Sequence, residues 1–240
     1  FAAEKLLGAG GGALLWTELD AVKAQLEPTV LSLAFVFLLV GYGTKVGLVP
    51  LHNWLPDAHA EGPTPVSAVL SGLLLNVALY AVVRCKVLVE GAIPTAFAKN
   101  LMMGFGLLSV VVAAFLLSRQ KDIKRLFAYS SIEHMGIITF AFGMGGAIAN
   151  FAGLLHMTVH SLTKSAIFFA VGHATQKTGT QLMENIRGLI QINTMIGWGL
   201  MLGKLTPYLL VAMTMAMMIF LVARWVFQIP FRGDLATVVL

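Results

Sequence analysis

Charged residues are scarce in this sequence of 240 residues, which holds 16 Lys or Arg and 11 Asp or Glu, together 11% of the chain. A soluble domain carries about 25% charged residues. Apolar residues make up 58%, and the mean hydropathy is +0.85. This composition excludes a disordered chain, a coiled coil and a soluble globular domain. It predicts an all-α, polytopic transmembrane helix bundle in the cell inner (plasma) membrane.

Cysteine is nearly absent as well, since Cys85 is the only one. No disulfide can form within the chain, and no cysteine-based metal site is expected. Phosphate-binding loops and nucleophile motifs are also missing, so we expect no catalytic site, metal or cofactor in this chain. The formal charge of +5 is spread between apolar runs. We interpret it as membrane topology rather than as nucleic-acid binding.

A membrane-spanning helix needs about 20 mainly apolar residues. We divide the chain into the end of a preceding helix plus a loop (1–28), a transmembrane core (29–203) and a final helix with a tail (204–240). Because the chain starts at Phe1 without a signal-peptide pattern, we expect it to be part of a longer protein. About seven spans are predicted, at residues 29–49, 66–89, 101–117, 126–144, 149–172, 186–202 and 207–227.

The orientation of the bundle is predicted from its most basic loop. Residues 118–125 hold four Lys or Arg in a short connection between two spans. Short cytoplasmic loops carry an excess of Lys and Arg. We therefore expect loop 118–125 to face the cytoplasm.

The first predicted span is interrupted near its end. Gly41, Gly43 and Gly47 weaken the helix, and Pro50 cannot donate a backbone hydrogen bond. We expect a broken helix near Gly47 and Pro50, which is tolerated in a membrane only where it is buried in protein or lines a wet cavity. Lys45 precedes the break, where charged groups of transporters often bind ions. The alternative is that Lys45 reaches out to the membrane surface.

Three ionisable residues recur every fourth position in one predicted span: His156, His160 and Lys164. Four helical residues turn about 400°, so the three share one face and cover about 12 Å of depth. A row of this kind can pass protons, because histidine titrates near neutrality. Two alternatives stay open. The row either bonds neighbouring helices together, or its histidines share a metal without help from a carboxylate or cysteine on that helix.

Other polar residues lie in or near the spans. Glu133 and His134 come two turns into another predicted helix, where they either join a polar chain or lie close to the membrane surface. Charged groups in a membrane are rare and usually functional, so both are counted with Lys45 as relay candidates. Water-ordering roles are predicted for four further residues: Asn76, His52, His59 and Asp57.

Two long motifs carry a family resemblance. The motifs are KVGLVPLHNWLPDAHAEGPTP at 45–65 and DIKRLFAYSSIEHMG at 122–136. They resemble the signatures of a family of antiporter-like membrane subunits. This family includes subunits of respiratory complex I, Mrp sodium/proton antiporters and membrane-bound hydrogenases. The resemblance covers about residues 28–200. Within the family, the chain looks most like hydrogenase-4 or formate-hydrogenlyase subunits at LLLN (73–76) and RGLIQIN (187–193).

The resemblance implies residue roles and also shows departures. Lys45 matches a lysine that pairs with a glutamate two helices earlier, which has no counterpart here. Asn76 stands where some members have a central lysine, which would move the central relay onto the row of His156, His160 and Lys164. Members also have a second broken helix, which residues 204–207 match poorly.

The resemblance implies a subunit that translocates protons, or sodium ions, in a redox-driven respiratory or hydrogenase complex. Its partners would be other membrane and peripheral subunits, which carry the iron–sulfur clusters and a metal centre, together with lipids. A change in the proton affinity of Lys45 would drive a proton along Lys164, His160 and His156 through ordered water. Three alternatives stay open: a structural subunit that does not pump, a contributor to a quinone site near His52 and His59, and a stand-alone antiporter.

Overall fold

The structure is a computed structural model that describes residues 3–7, 15–93, 96–186, 194 and 197–199. Two short helices come first, α1 (Glu4–Leu7) and α2 (Trp16–Val22), and a 3₁₀ turn follows at Lys23–Gln25. A π-helical turn, Leu70–Leu74, joins two of the later helices. These helices are α3 (Pro28–Val46), α4 (Trp54–Glu61), α5 (Thr64–Val69), α6 (Leu75–Ala92), α7 (Phe97–Leu117), α8 (Ile123–Met144) and α9 (Gly146–Thr178).

The all-α membrane bundle is confirmed. In the described part of the chain, four segments are long and apolar enough to cross a membrane, and they overlap the predicted spans: Pro28–Val46, Thr64–Ala92, Phe97–Leu117 and Gly146–Thr178. Helix α8 matches a fifth predicted span, but its polar side chains lower its hydropathy. The predicted spans 186–202 and 207–227, and the final domain 204–240, lie almost wholly outside the described residues. The total of seven spans therefore stays a prediction.

Helix α9 is longer than the sequence analysis predicts, whereas α3 ends three residues before its predicted end at 49. Helix α9 continues to Thr178, six residues beyond the predicted end at 172. Its 33 residues correspond to about 50 Å, more than the roughly 30 Å of a hydrocarbon core, so α9 extends past the membrane or tilts. Sequence hydropathy misses this end because the last turns, residues 173–178, are polar but still form helix.

Helix α3 starts at a well-formed cap. The Glu27 carboxylate accepts hydrogen bonds from the backbone N–H groups of Val30 (2.6 Å) and Thr29 (3.1 Å), and Pro28 occupies the first turn. The bond from Val30, followed by those from Thr29, lowers the pKa of the Glu27 carboxyl below its usual value. A carboxylate at a helix N-terminus also complements the helix dipole.

The predicted break after α3 is present at residues 47–53. Gly47 ends α3 in the left-handed conformation (φ 82°), which favours glycine, and its N–H bonds the carbonyl of Thr44 at 3.1 Å. The Trp54 indole N–H donates to the same carbonyl at 2.7 Å, and the Val49 N–H donates to Ser109 Oγ at 2.9 Å. Residues 47–49 of the break are buried, and the backbone N–H groups of Gly47 and Val49 are hydrogen-bonded, which fits the requirement that a broken helix in a membrane be covered by protein.

Helix α8 forms the centre of the described bundle. It packs against α7 on one side and against α4 and α9 on others, and most of its residues after Arg125 are buried. Helices α7 and α8 touch at the backbone, because Gly106 and Gly136 face each other. Small residues at such a contact let membrane helices approach closely. Burial of α8 explains how a span with Glu133 and His134 can exist inside a membrane protein.

Candidate functional site

The polar row on α9 faces the buried side of the bundle. His160 is 3% exposed and Lys164 is 2% exposed, whereas His156 is half-buried. Helix α8 presents Glu133 (3% exposed) and His134 to the same interface. The structure therefore brings together five of the predicted relay residues between two helices.

Two histidines form one of the direct contacts between α8 and α9. His134 Nδ1 and His156 Nε2 are 2.8 Å apart, so one ring donates a hydrogen bond to the other. The ring of His160 lies 5.7 Å from that of His134, measured between centroids. Neither ring nitrogen of His160 has a partner among the described protein atoms. Buried nitrogens are nearly always bonded to protein or to ordered water, so His160 points to a water position in this interface.

Lys164 lies in a small polar cradle on α8. Its ammonium donates to Ser130 Oγ at 2.8 Å and to the carbonyl of Phe127 at 3.3 Å. It interacts electrostatically with Glu133, although no ion pair within 4.0 Å joins these two residues. A buried ammonium needs both hydrogen bonds and an opposite charge nearby, and this cradle supplies both.

Lys45 is placed differently from the rest of the relay candidates. It is exposed at the end of α3, and no described side chain forms an ion pair with it. The structure thus confines it to the rim of the break rather than to the α8–α9 interface. A partner for Lys45 would have to come from outside the described residues.

The three predicted water-ordering residues beside the break lie in separate surroundings. His52 is buried next to the ring of Tyr129, with 6.2 Å between ring centroids. His59 is fully buried and stacks on Phe168 at 4.4 Å, and neither of its nitrogens has a described protein partner. His52 and His59 therefore have different ring neighbours, Tyr129 and Phe168.

Asp57 forms an ion pair at the surface. Its carboxylate lies 2.8 Å from Arg125 Nη1, and the two side chains are 63% and 39% exposed. Exposed ion pairs contribute about 0–1 kcal/mol and are screened by salt.

Replacing Asp57 with Asn is expected to leave assembly and ion translocation near the wild-type level, because this contact is solvent-exposed. The measurement is the melting temperature of the complex that contains this chain, together with its ion uptake. A large loss of uptake at unchanged melting temperature would instead place Asp57 on an ion path.

Asn76 is buried between α6 and α9. Its amide nitrogen contacts three oxygens, one in the π turn that precedes α6 and two on α9. The side chain therefore joins helices directly, in addition to the water-ordering role that the sequence predicts.

The sequence analysis missed the serines of this region. Ser130 holds Lys164, and Ser131 bonds Ser71 of the π turn at 2.8 Å. Ser130 lies four residues before His134, so the helical period would have placed both on one face. The π turn itself has no comparable sequence signal.

Metal binding has no support from clustering. Among the described residues, no group of three or more His, Cys, Asp or Glu side chains could hold a metal ion. The contact between His134 and His156 is a hydrogen bond between their rings. Glu133, a carboxylate of the same interface, lies on α8 and not on α9.

Comparison with known proteins identifies the family. The sequence pattern of the family described as "NADH:quinone oxidoreductase/Mrp antiporter, TM" matches residues 6–227. This chain belongs to that family. The family resemblance of the two sequence motifs is thereby confirmed.

Relatives with known names agree with this membership. A hydrogenase-4 component F homolog of Methylacidiphilum infernorum is 58% identical over 203 residues, which are 85% of this chain and 43% of that protein. A chain of the membrane-bound sulfane sulfur reductase, an archaeal respiratory membrane complex, superposes with a TM-score of 0.73 at 28% identity, over 84% of this chain and 41% of that one.

Respiratory complex I from Thermus thermophilus contains a further similar chain, with a TM-score of 0.59 and 27% identity over 82% of this chain and 45% of that one. The chain therefore spans less than half the length of these relatives. The family membership concerns the shared transmembrane region, in which the α8–α9 interface lies.

Proposed function

We propose that this chain is a proton-translocating subunit of a redox-driven membrane complex, and that the α8–α9 interface carries the protons. The observation that carries the proposal is the burial of Lys164, which is 2% exposed in a membrane helix. Three histidines, His134, His156 and His160, lie in the same interface. Ionisable groups at this depth are unfavourable on insertion scales and usually mark an ion path. Family membership and the named relatives support the same class of function.

The geometry supports a sequence of short proton transfers. Lys164 exchanges a proton with Ser130 or with water near Glu133, and water passes it to His160. His160 hands it through water to His134, whose ring is hydrogen-bonded to His156. Each imidazole can accept a proton at one nitrogen and release another from the second, which a sequential relay requires.

Lys45 belongs to the proposal as the group beside the break. Because it is exposed, a carboxylate from outside the described residues can reach it. A change in that pairing would alter the field at the break and the proton affinity of the row. The basic segment 118–125, whose last three residues form the first turn of α8 instead of the predicted loop, lies on the cytoplasmic side in this proposal. The chain spans the plasma membrane, and electrons pass through partner subunits with iron–sulfur or metal centres.

Lys164→Ala is expected to abolish most proton uptake per electron, because the row then loses its only buried ammonium among the described residues of α9. The measurement is proton uptake into vesicles that contain the assembled complex, during redox turnover. Lys177→Ala is the matched control, since Lys177 is an exposed lysine near the end of the same helix. Unchanged uptake in an assembled Lys164→Ala complex would make the row structural and the chain a non-pumping scaffold.

A further inference from the structure

Arg84 on α6 is held by two aromatic side chains. Its guanidinium carbon lies 3.5 Å from the centre of the Trp16 ring and 5.6 Å from that of the Tyr80 ring. The indole N–H of Trp16 donates to the Arg84 backbone carbonyl at 3.3 Å, and Arg84 Nη1 donates to the Tyr80 hydroxyl at 3.0 Å. Cation–π contacts and a hydrogen bond therefore fix the position of the guanidinium.

The positive charge of Arg84 has no acidic partner among the described residues. Asp20 of α2 and Glu90 of α6 form ion pairs with lysines instead. A guanidinium has five N–H donors, and the bond to Tyr80 uses one of them. The remaining donors match an anion with two oxygens, such as a phosphate.

Arg84 lies at a boundary of the membrane. Residues 62–83 hold no charged side chain, and Arg84 follows them directly. It comes twenty residues after Thr64, where α5 begins, and that length of helix spans the roughly 30 Å of a hydrocarbon core. Lys124 of the basic segment 118–125 bonds Gly62 just before α5, so Arg84 lies at the opposite membrane surface. Trp and Tyr side chains are enriched at that level.

An exposed apolar stripe on the π turn and α6 leads from the middle of the membrane to Arg84. Leu73, Val77 and Tyr80 are 57%, 67% and 50% exposed. With Arg84 they recur at steps of four, three and four residues, which places them on one helix face. From Leu73 to Arg84 the helix rises about 16 Å, which is about half of a 30 Å hydrocarbon core. The stripe is therefore as long as the acyl-chain region of one leaflet.

A ligand that fits this arrangement has an anionic group at the membrane surface and an apolar chain below it. A phospholipid has both, whereas a free phosphate would leave the apolar stripe uncovered. A headgroup without an ammonium fits best, because Arg84 would repel a second positive charge. We propose that Arg84 and its two aromatic neighbours bind the phosphate of an anionic phospholipid whose acyl chain lies along the apolar stripe, with phosphatidylglycerol as the probe.

The lipid site is separate from the α8–α9 interface. Arg84 contacts α2 and its own helix, whereas Asn76, which contacts α9, lies eight residues earlier, about 12 Å along α6. Lipid binding is therefore measured in the resting complex, and its result does not depend on whether the chain translocates protons.

The test is photocrosslinking of phosphatidylglycerol that carries a diazirine on its acyl chain to the purified, assembled complex, followed by peptide mapping. In the wild type we expect label on residues 73–80. Arg84→Gln is expected to lower this labelling about tenfold, because it removes the charged donors. Arg84→Lys is expected to give an intermediate value, because an ammonium keeps the charge without the paired donors. Trp16→Leu is expected to lower the labelling as well, because the guanidinium loses its stacking partner.

Arg119→Gln is the matched control, because Arg119 is an exposed arginine of the basic segment at the other membrane surface. It is expected to leave the labelling of residues 73–80 unchanged. The proposal is overturned if assembled Arg84→Gln and Arg84→Lys complexes are labelled like the wild type. It is also overturned if residues 73–80 of the wild type stay unlabelled, since protein would then cover this face. Removal of the label by inorganic phosphate at the lipid's concentration would likewise overturn it, in favour of a site for free phosphate.

Discussion

Gly106→Val is expected to remove most of the assembled complex from the membrane, because it inserts a side chain where two helix backbones touch. A Cβ atom at Gly106 would lie 2.7 Å from the Gly136 carbonyl oxygen and 2.7 Å from the Phe140 backbone nitrogen. Neither atom belongs to a side chain that could rotate away, so α7 and α8 would have to separate. Overpacking usually destabilises by about 1–3 kcal/mol, and a backbone overlap is expected at the upper end or above.

The control for this prediction lies on the same helix. Gly104 is exposed, and a Cβ atom there would meet nothing within 4 Å. Both substitutions replace glycine in a helix interior, so their effect on helix propensity is the same. The measurements are the amount of complex extracted from membranes and its melting temperature. Gly106→Ala is expected to show a smaller loss of the same sign, and equal yields for Gly104→Val and Gly106→Val would contradict the packing of α7 on α8.

The sequence predicts the membrane bundle and its central residues because both depend on short-range patterns. A run of apolar residues has to be a helix in lipid, and a spacing of four has to place His156, His160 and Lys164 on one face. The break after Lys45 also follows from local residues, since Gly47 adopts a left-handed conformation that favours glycine. These features need no knowledge of which helices are neighbours.

Features that depend on neighbouring helices could not be predicted in the same way. The hydrogen bond between His134 and His156 joins residues 22 positions apart on two helices, and the bond from Lys164 to Ser130 joins residues 34 apart. The helical period shows which residues share one face of a helix. It does not show which helix that face packs against, how deep the residues lie in the membrane or how the helix is rotated. The sequence analysis therefore left Glu133 and His134 between two interpretations, and burial on the central helix α8 brings both into the interface.

The surroundings of Asn76 could not be predicted from the sequence. From the sequence it is a neutral side chain at mid-span, and its chemistry depends on a π turn four residues earlier and on α9 more than 80 residues later. A π turn inserts one extra residue into a helix without a distinctive composition. Only the packed structure shows that the turn, Ser161 and Met157 meet at one amide.

Replacing Glu133 and Lys164 separately and together is expected to show that they act as one unit in proton uptake. Glu133→Gln removes the carboxylate that interacts with the buried ammonium, and Lys164→Gln removes the ammonium itself. A positioned proton-transfer group contributes about 10²–10⁴-fold, so each single variant is expected to lower uptake per electron by at least about tenfold. The double variant is expected to be no slower than the slower single one, because the second change removes a group that has already lost its partner.

A second Lys–Glu pair provides the control for general effects of removing charge. Lys86 and Glu90 on α6 are 2.9 Å apart, with Lys86 nearly as buried as Lys164, and the ion-pair partners of Glu90 are Lys86 and Lys99 rather than a residue of the α8–α9 row. Glu90→Gln and Lys86→Gln are expected to lower the melting temperature while leaving uptake per electron at the wild-type value.

If instead the losses of uptake caused by the Glu133 and Lys164 variants multiplied in the double variant, the two residues would act independently. The carboxylate would then have no part in setting the proton affinity of the lysine, and the proposed relay would have to start from Lys164 and its serine alone.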